Sequence, residues 1–345
     1  MITIRPFKRT NEDYKLAVGI FNAVWGGQEE TVKAWKEGDE KRSKDVKWGR
    51  FFAEVDGQAV GYASYEQHRR MNHPGNLSVS AFVLPAFRRR GVGTALWQHL
   101  CREIEQFDPL RLFIGTRENF PEGVRFVEKR GFVENFRHWE SRLEPAAFRL
   151  ADWAGYSRRV AEQGIEIRAV TEMMSDPERD RKLYELDWAL QQDIPSPKPA
   201  VQRSFEEFQK VWQRSNLVQD AWFVALDQGE YVGMTEFWSN QADPSLFEIG
   251  LTGVLRSHRR RGIAIALKLR GIEFAQHRGI RELRTWNASD NKGILEVNRR
   301  LGFVRRPAHI AFVKEVRAER PGDVELTLVS RGKGGELTDE SAHAS

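Results

Sequence analysis

One cysteine, Cys101, occurs in a chain of 345 residues. That count excludes an intramolecular disulfide and any metal centre built on cysteines, and no metal is expected. Cys101 falls in an amphipathic stretch, where it reads as a small core or surface residue rather than a nucleophile. No apolar run approaches the ~20 residues of a membrane span. Met1 leads into Ile2-Thr3-Ile4-Arg5 without a basic segment followed by an apolar one, so the expected location is cytoplasmic, with no membrane partner. The pattern G-x-x-x-x-G-K-S/T is missing, which argues against nucleotide hydrolysis, and the dinucleotide pattern G-x-G-x-x-G is missing too. Neither charge sign dominates, since 54 basic and 49 acidic residues leave a net charge of +5. That mixture suits a phosphate-bearing small ligand better than a nucleic-acid surface, and no nucleic-acid partner is expected.

What is present is a repeat. The run Arg88-Arg89-Arg90-Gly91-Val92-Gly93 returns as Arg259-Arg260-Arg261-Gly262-Ile263-Ala264, and each follows an apolar strand-like segment and opens an amphipathic helix. A Gly-Phe pair lies 40 residues after each loop glycine, at Gly131-Phe132 and Gly302-Phe303. One such loop is a weak signal, whereas two with the same downstream partner indicate an internal duplication. At ~150 residues per domain the length allows two domains, and 21 Phe with 11 Trp can fill two cores. Glycines let backbone approach a ligand, and amides at a helix start converge on an anion.

The order of elements supports the duplication. Strands are predicted at 2–5, 51–55, 59–65, 77–84 and 110–115, with helices at 11–25 and 122–130 and a further strand from Phe132. Val92, Leu96, Leu100 and Ile104 form the stripe of a helix with one buried face. The second copy is predicted to repeat this with strands at 165–168, 222–226, 231–238, 247–255 and 281–286, and helices from Ile263 and over 293–300. A helical linker spans 144–164, and a Pro-rich insertion at 193–199 belongs to the second copy only. The segment 331–345, rich in Gly, Ser and acidic residues, is expected to be disordered. The domains are thus expected at 1–143 and 165–330.

Each half resembles an acetyltransferase of the GNAT superfamily, and the whole resembles a tandem GNAT protein. The resemblance rests on the two loops and, in the second copy, on Thr285-Trp286-Asn287, Asn291, Asn298 and Leu301-Gly302-Phe303. It implies an α+β fold of two domains. Each would have a mixed, mostly antiparallel sheet flanked by helices and splayed after the strand preceding its loop. It also implies acetyl-CoA as cofactor. The amides of Arg88, Arg89, Arg90, Gly91, Val92 and Gly93, and of Arg259, Arg260, Arg261, Gly262, Ile263 and Ala264, would hold its pyrophosphate. Val83-Leu84 and Val254-Leu255 would pair with its pantetheine arm, with Asn291 and Asn298 beside it.

Acetyl transfer to an amine requires a group to take the proton of an alkylammonium, whose pKa is roughly 10, and donors for the developing oxyanion. Glu248, eleven residues before Arg259, is where some members of the family place a general base. It is either that base or an exposed strand carboxylate. The first copy has Leu77 there, and Val127 where the second has Asn298, so it is expected to bind cofactor or to play a structural part. Neither copy has a tyrosine four residues before the glycine of its Gly-Phe pair. Trp188, Asp193 and Trp238 are the expected acceptor-binding residues. The expected partner is a small-molecule amine, the assembly a monomer or homodimer. A non-catalytic acyl-CoA-binding protein is the alternative.

Overall fold

The computed structural model describes residues 1–26, 30–67, 73, 75–195, 202–240 and 243–320. The expectations for 331–345 and for 196–199 of the Pro-rich insertion lie outside these. In chain order the elements begin with β1 (Ile2–Pro6), α1 (Asn11–Trp25), α2 (Val32–Lys41), β2 (Trp48–Val55), β3 (Gln58–Gln67), β4 (Asn76–Val83), α3 (Val92–Glu105), β5 (Arg111–Arg117), α4 (Pro121–Glu128) and β6 (Val133–Leu143). They continue with α5 (Ala154–Ala161), β7 (Ile165–Ala169), α6 (Arg179–Gln191), α7 (Phe205–Gln209), β8 (Phe223–Asp227), β9 (Glu230–Ser239) and β10 (Leu246–Val254). The last are α8 (Ile263–His277), β11 (Glu282–Ala288), α9 (Lys292–Arg300), β12 (Val304–Arg305) and β13 (His309–Glu315).

Two compact units result. Unit 1 comprises Met1–Thr116, Phe120–Asn135 and the described residues from Ala311, and unit 2 comprises Arg117–Asn119 and Phe136–Ile310. The sheet of unit 1 runs β1-β2-β3-β4-β5-β13, and that of unit 2 runs β6-β11-β10-β9-β8-β7, with β12 against β6. Pairing is antiparallel within β1–β4 and within β7–β10, and parallel between β4 and β5 and between β10 and β11. Each unit is therefore an α+β fold with a mixed, mostly antiparallel sheet.

Local chemistry accounts for the elements. Thr10 caps α1 by accepting from the Asp13 amide, and acidic Glu12 and Asp13 occupy its first turn, where the helix dipole favours negative charge. The stripe Val92, Leu96, Leu100 and Ile104 is buried, as its spacing requires. Each such fully buried side chain contributes about 1.5–3 kcal/mol. In unit 2, β8–β10 bury Phe223, Val232, Phe237 and Ile249 against Ile263, Leu267 and Ile272 of α8. On the opposite face Met234 and Trp222 meet Leu183, Leu186 and Leu190 of α6 and Phe208 of α7.

Buried charged groups interrupt this apolar logic in both units. In unit 1 the buried Asp39 of α2 accepts from Tyr14 Oη at 2.9 Å and Arg42 at 2.7 Å, and lies 3.5 Å from Arg50. Arg50 in turn sits over the rings of Phe7 and Trp35. In unit 2 Lys268 of α8 is fully buried, its Nζ without a hydrogen-bond partner and 5.0 Å from the centre of the Phe303 ring. Burial pushes this amine down to about 7.

Candidate active site

Both parallel pairs open into a cleft. Strands β10 and β11 stay in register only from Leu246–Glu282 to Ile249–Thr285, although β10 continues to Val254 and β11 to Ala288. Strands β4 and β5 pair over Asn76–Arg111 to Ser78–Phe113 and then diverge. Backbone edges past these points face a gap instead of a neighbouring strand, and such edges can bond an extended ligand.

A glycine loop and a helix start stand at the end of each longer strand. Gly91 and Gly262 are the N-caps of α3 and α8, with φ of 85° and 89°, and neither helix start receives a side-chain cap. Arg89 and Arg260 are also left-handed, at φ 61° and 66°. This twist turns the chain so that first-turn amides point outward, as an anion site requires. The first arginine of each run closes its loop. Arg88 Nε donates to Val83 O at 3.2 Å, and Arg259 Nε to Val254 O at 3.1 Å. In unit 2 Arg261 bonds Asp227 at 2.6 Å and the Gln163 carbonyl at 3.1 Å, and the Tyr156 ring packs against Gly262.

The face of unit 2 opposite α8 carries carboxylates. Glu248 pairs in register with Trp238 and Arg284, and accepts from Asn240 Nδ2 at 3.0 Å. Its neighbours Phe247 and Ile249 point to α8, so strand alternation puts Glu248 on the other side. Glu236 shares that side, two residues before Trp238. Beside it β10 slips by one residue between Ile249 and Thr252, a β-bulge, and the bulged Leu251 N–H donates to Glu236 Oε1 at 3.2 Å. The Trp238 indole also donates to Glu236. Desolvation, opposed by the Leu251 amide, pushes Glu236 up to about 7, and the nearby Asp187 carboxylate adds to the rise. A Cβ at Gly250 would lie 2.6 Å from Glu236 Oε1 and 2.7 Å from Trp238 Nε1, so only a glycine lets this carboxylate and the indole pack so close to the strand. On the splayed half of β11 the same face presents Trp286, packed 5.6 Å from His138 and 5.2 Å from His309 between ring centres. Burial lowers the pKa of His138.

The other expected site residues are placed as follows. Asn298 is buried and donates to Asn287 Oδ1 at 2.7 Å, while its own Oδ1 has no partner. Asn291 caps α9 through the Ile294 amide. Asp193 accepts from Arg256 Nε at 2.8 Å and also bonds Arg259; these guanidinium groups, Arg256 first, hold its carboxyl below the usual range. It thus joins the arginines of the loop. Trp188 is half-buried on α6, and Trp238 is half-buried beneath Arg214. Tyr231 lies in the core with its hydroxyl 3.3 Å from Asp176, pushed up to about 12 by burial. Burial likewise raises the Cys101 thiol.

Sequence reasoning passed over Glu236. The available signal was the one charged residue in the strand segment Val232-Gly233-Met234-Thr235-Glu236-Phe237-Trp238. Its counterpart in unit 1 is Ser64, which bonds Ser80 on β4. Unit 1 differs further at the mouth of its cleft, where Trp25 packs edge-on to both Phe82 of β4 and Phe120 beyond β5.

A sheet opened between parallel strands and met by an uncapped helix start defines an acyl-group transferase of the acyl-CoA type. The model of the Acetyltransferase (GNAT) family matches residues 14–132 and 181–303, so the chain belongs to that family, in tandem form. Members of this family generally use acetyl-CoA. The residues here fit that cofactor, with open strand edges, outward amides and the unpartnered Oδ1 of Asn298. The chain is similar to the mycothiol acetyltransferase of Amycolatopsis mediterranei, 23% identical over 265 residues, covering 75% of this chain and 81% of the relative. It is 26% identical over 259 residues to that of Saccharomonospora viridis, covering 71% and 76%. Among solved structures, a GCN5-related N-acetyltransferase from Sphaerobacter thermophilus superposes with a TM-score of 0.65 at 21% identity, over 92% of this chain and 97% of that one. A tandem GNAT protein from the clavulanic acid pathway gives 0.61 at 18% identity, over 93% and 100%. Among the described residues no helix is long and apolar enough to cross a membrane.

Proposed function

We propose that unit 2 transfers the acetyl group of acetyl-CoA to the nitrogen of a small-molecule amine, while unit 1 binds cofactor or serves as scaffold. One observation carries this reading: among the described residues unit 2 sets two carboxylates, Glu236 and Glu248, beside its splayed strand pair and uncapped helix start, whereas Glu66 at the corresponding level of unit 1 is ion-paired to Arg42 at 3.0 Å. The relatives named mycothiol acetyltransferase support acetyl transfer to a small molecule.

Acetyl-CoA, when bound, supplies a thioester whose carbonyl carbon takes the amine and whose sulfur leaves as the thiol. The amides of residues 260–264 would hold its pyrophosphate, where helix-start N–H groups stabilise negative charge without a lysine. The edge of β10 past Ile249, apart from the Leu251 amide held by Glu236 and the Val254 carbonyl held by Arg259, would bond its amide-bearing arm, and Asn298 Oδ1 would accept from it. A strand carboxylate on the acceptor face would take the proton of the acceptor amine; the family pattern points to Glu248, and Glu236 lies on the same face. Trp238 and Trp286 would wall the acceptor side, offering apolar surface with an N–H handle.

Calorimetry with acetyl-CoA, followed by thiol release with a panel of primary amines, tests the proposal. Saturable binding with amine-dependent thiol release is expected. Binding without release on any amine would favour the acyl-CoA-binding alternative, and no binding would end both readings.

A further inference from the structure

Two carboxylates face the acceptor side of unit 2, and their settings differ. Glu248 lies where β10 and β11 are still paired, flanked in register by Trp238 and Arg284 and held by Asn240. Glu236 lies beside the bulge at which β10 leaves that pairing, over a glycine that adds no side chain. A β-bulge re-aims local groups and recurs next to active sites. Here it turns the Leu251 amide onto one carboxylate oxygen and sets that carboxylate level with the first residues of β10 that no longer pair with β11.

We propose that Glu236, rather than Glu248, is the general base that takes the proton from the acceptor amine. The inference rests on unit 2 being the transferring unit. Glu236 accepts one proton from the incoming ammonium and passes it to solvent. The freed nitrogen lone pair makes the N–C bond as the C–S bond breaks with its electron pair on sulfur, and the second nitrogen proton leaves with the thiol. The sum is amide, thiol and one proton, with no oxidant or reductant. The groups facing Glu236 are Asp187 from α6, Arg203 from the segment before α7, Trp238 on its own strand and the Leu251 amide of β10. Arg203 is itself bound to Asp187 at 3.1 Å, which leaves Glu236 without a dedicated cation. A carboxylate so placed stays protonated up to about neutral pH, where a base works best.

The test uses the full chain and the variants Glu236→Gln and Glu248→Gln. Without any ligand, carbon-13 NMR of glutamate-labelled protein should show one carboxyl titrating near 7 that disappears in Glu236→Gln. A Glu236 signal in the ordinary range near 4.3 would overturn the proposal. With acetyl-CoA and an amine the screen finds active, or water when none is, Glu236→Gln should lower kcat roughly 10²–10⁴-fold and abolish the acidic limb of the pH profile. Its affinity for acetyl-CoA should be unchanged. Glu248→Gln should keep that limb and lose less than about 10-fold, well below the roughly 10²-fold that loss of a positioned base costs. The reverse pattern would return the role to Glu248 and leave acetyl transfer by unit 2 standing. If unaltered protein neither binds nor consumes acetyl-CoA, the functional reading falls instead.

Discussion

The β3–β4 ladder of unit 1 keeps a single register from Gly61–Val83 to Gln67–Leu77, whereas the β9–β10 ladder of unit 2 slips by one residue between Ile249 and Thr252. Both units retain the glycine loop, the left-handed arginine and the arginine clamp on the strand's last carbonyl. The anion cradle is therefore common to both units, while the polar groups beside it differ. The slip puts Gly250 and Leu251 on the acceptor face and gives Glu236 a buried donor; the regular ladder leaves Ser64 bonded to Ser80. Unit 1 then closes its cleft mouth with Phe82, Trp25 and Phe120, and gains packing where unit 2 keeps an opening. On the proposed division of labour, one residue of register separates the two units.

The largest expected effect comes from paired loop variants. Gly262→Asp puts a carboxylate and a left-handed Cβ, 2.9 Å from Tyr156 Oη, at the start of α8, with a conformational cost of roughly 1–2 kcal/mol. Thiol release should fall to background. Gly91→Asp, where only Ile2 lies nearby at 3.6 Å, should leave turnover intact. Calorimetry on the same pair counts sites: if unaltered protein binds two equivalents, each variant should bind one. Equal loss of turnover from both variants would break the division of labour.

Next in size is Asp39→Ala in unit 1. It leaves the buried Arg50 without its carboxylate, while Arg42 keeps Glu66 at 3.0 Å; a buried ion pair that loses one partner costs about 3–5 kcal/mol. Denaturant titration should show the loss, with kcat of surviving folded protein unchanged.

Lys268→Met acts in the opposite direction. The amine titrates at about 7 when folded but near 10.4 when unfolded, so the unfolded chain binds the extra proton between those values. Stability should rise with pH across that window, and at pH 7 the lysine costs the fold a few kcal/mol. The methionine variant should be more stable at neutral pH and lose that slope, as thermal melts at pH 7 and 9 would reveal. An unchanged slope would mean the amine finds a partner in solution.

Smallest is Phe120→Ala, which removes one half-buried ring from its edge-on contact with Trp25 at about 0.5–1.5 kcal/mol for the aromatic pair beyond its lost area. It should not restore thiol release to Glu236→Gln. Restored turnover would show that unit 1 is a closed site and not a scaffold.

Much of this architecture was legible in sequence because it is periodic. The stripe from Val92 to Ile104, the loop spacing and the 11–25 helix all follow from local pattern and appear as read. Glu248 was found because its offset from Arg259 is countable. Glu236 was not, because its importance depends on a ladder slip that no strand reveals alone; alternation along Tyr231–Trp238 marks its face but not the bulge opposite. Lys268 hid in the helix stripe as one cation among apolar neighbours, with nothing to distinguish a solvated position from a buried one. Asp193 was read as bordering the acetyl group, yet its carboxylate bonds Arg256 and Arg259; residues 63 and 66 positions apart give no local hint of such a clamp.

The closing strand has a consequence for how the protein is made. Residues from Ala311 belong to unit 1, where Arg111 bonds Glu315 at 2.7 Å and the Val316 amide reaches Leu110 O at 2.9 Å. A ribosome that has released the first 300 residues has therefore not yet delivered the strand that finishes the unit it began with. During that interval β5 presents an uncovered edge, a template for pairing with another nascent chain. Closure over 204 residues of intervening chain is also slow, since distant contacts must overcome loop entropy before they reward it. Early termination just before Ala311 should thus yield aggregates rather than an independent amino-terminal fragment, and prolonged exposure on the ribosome makes this strand a natural point for chaperone dependence.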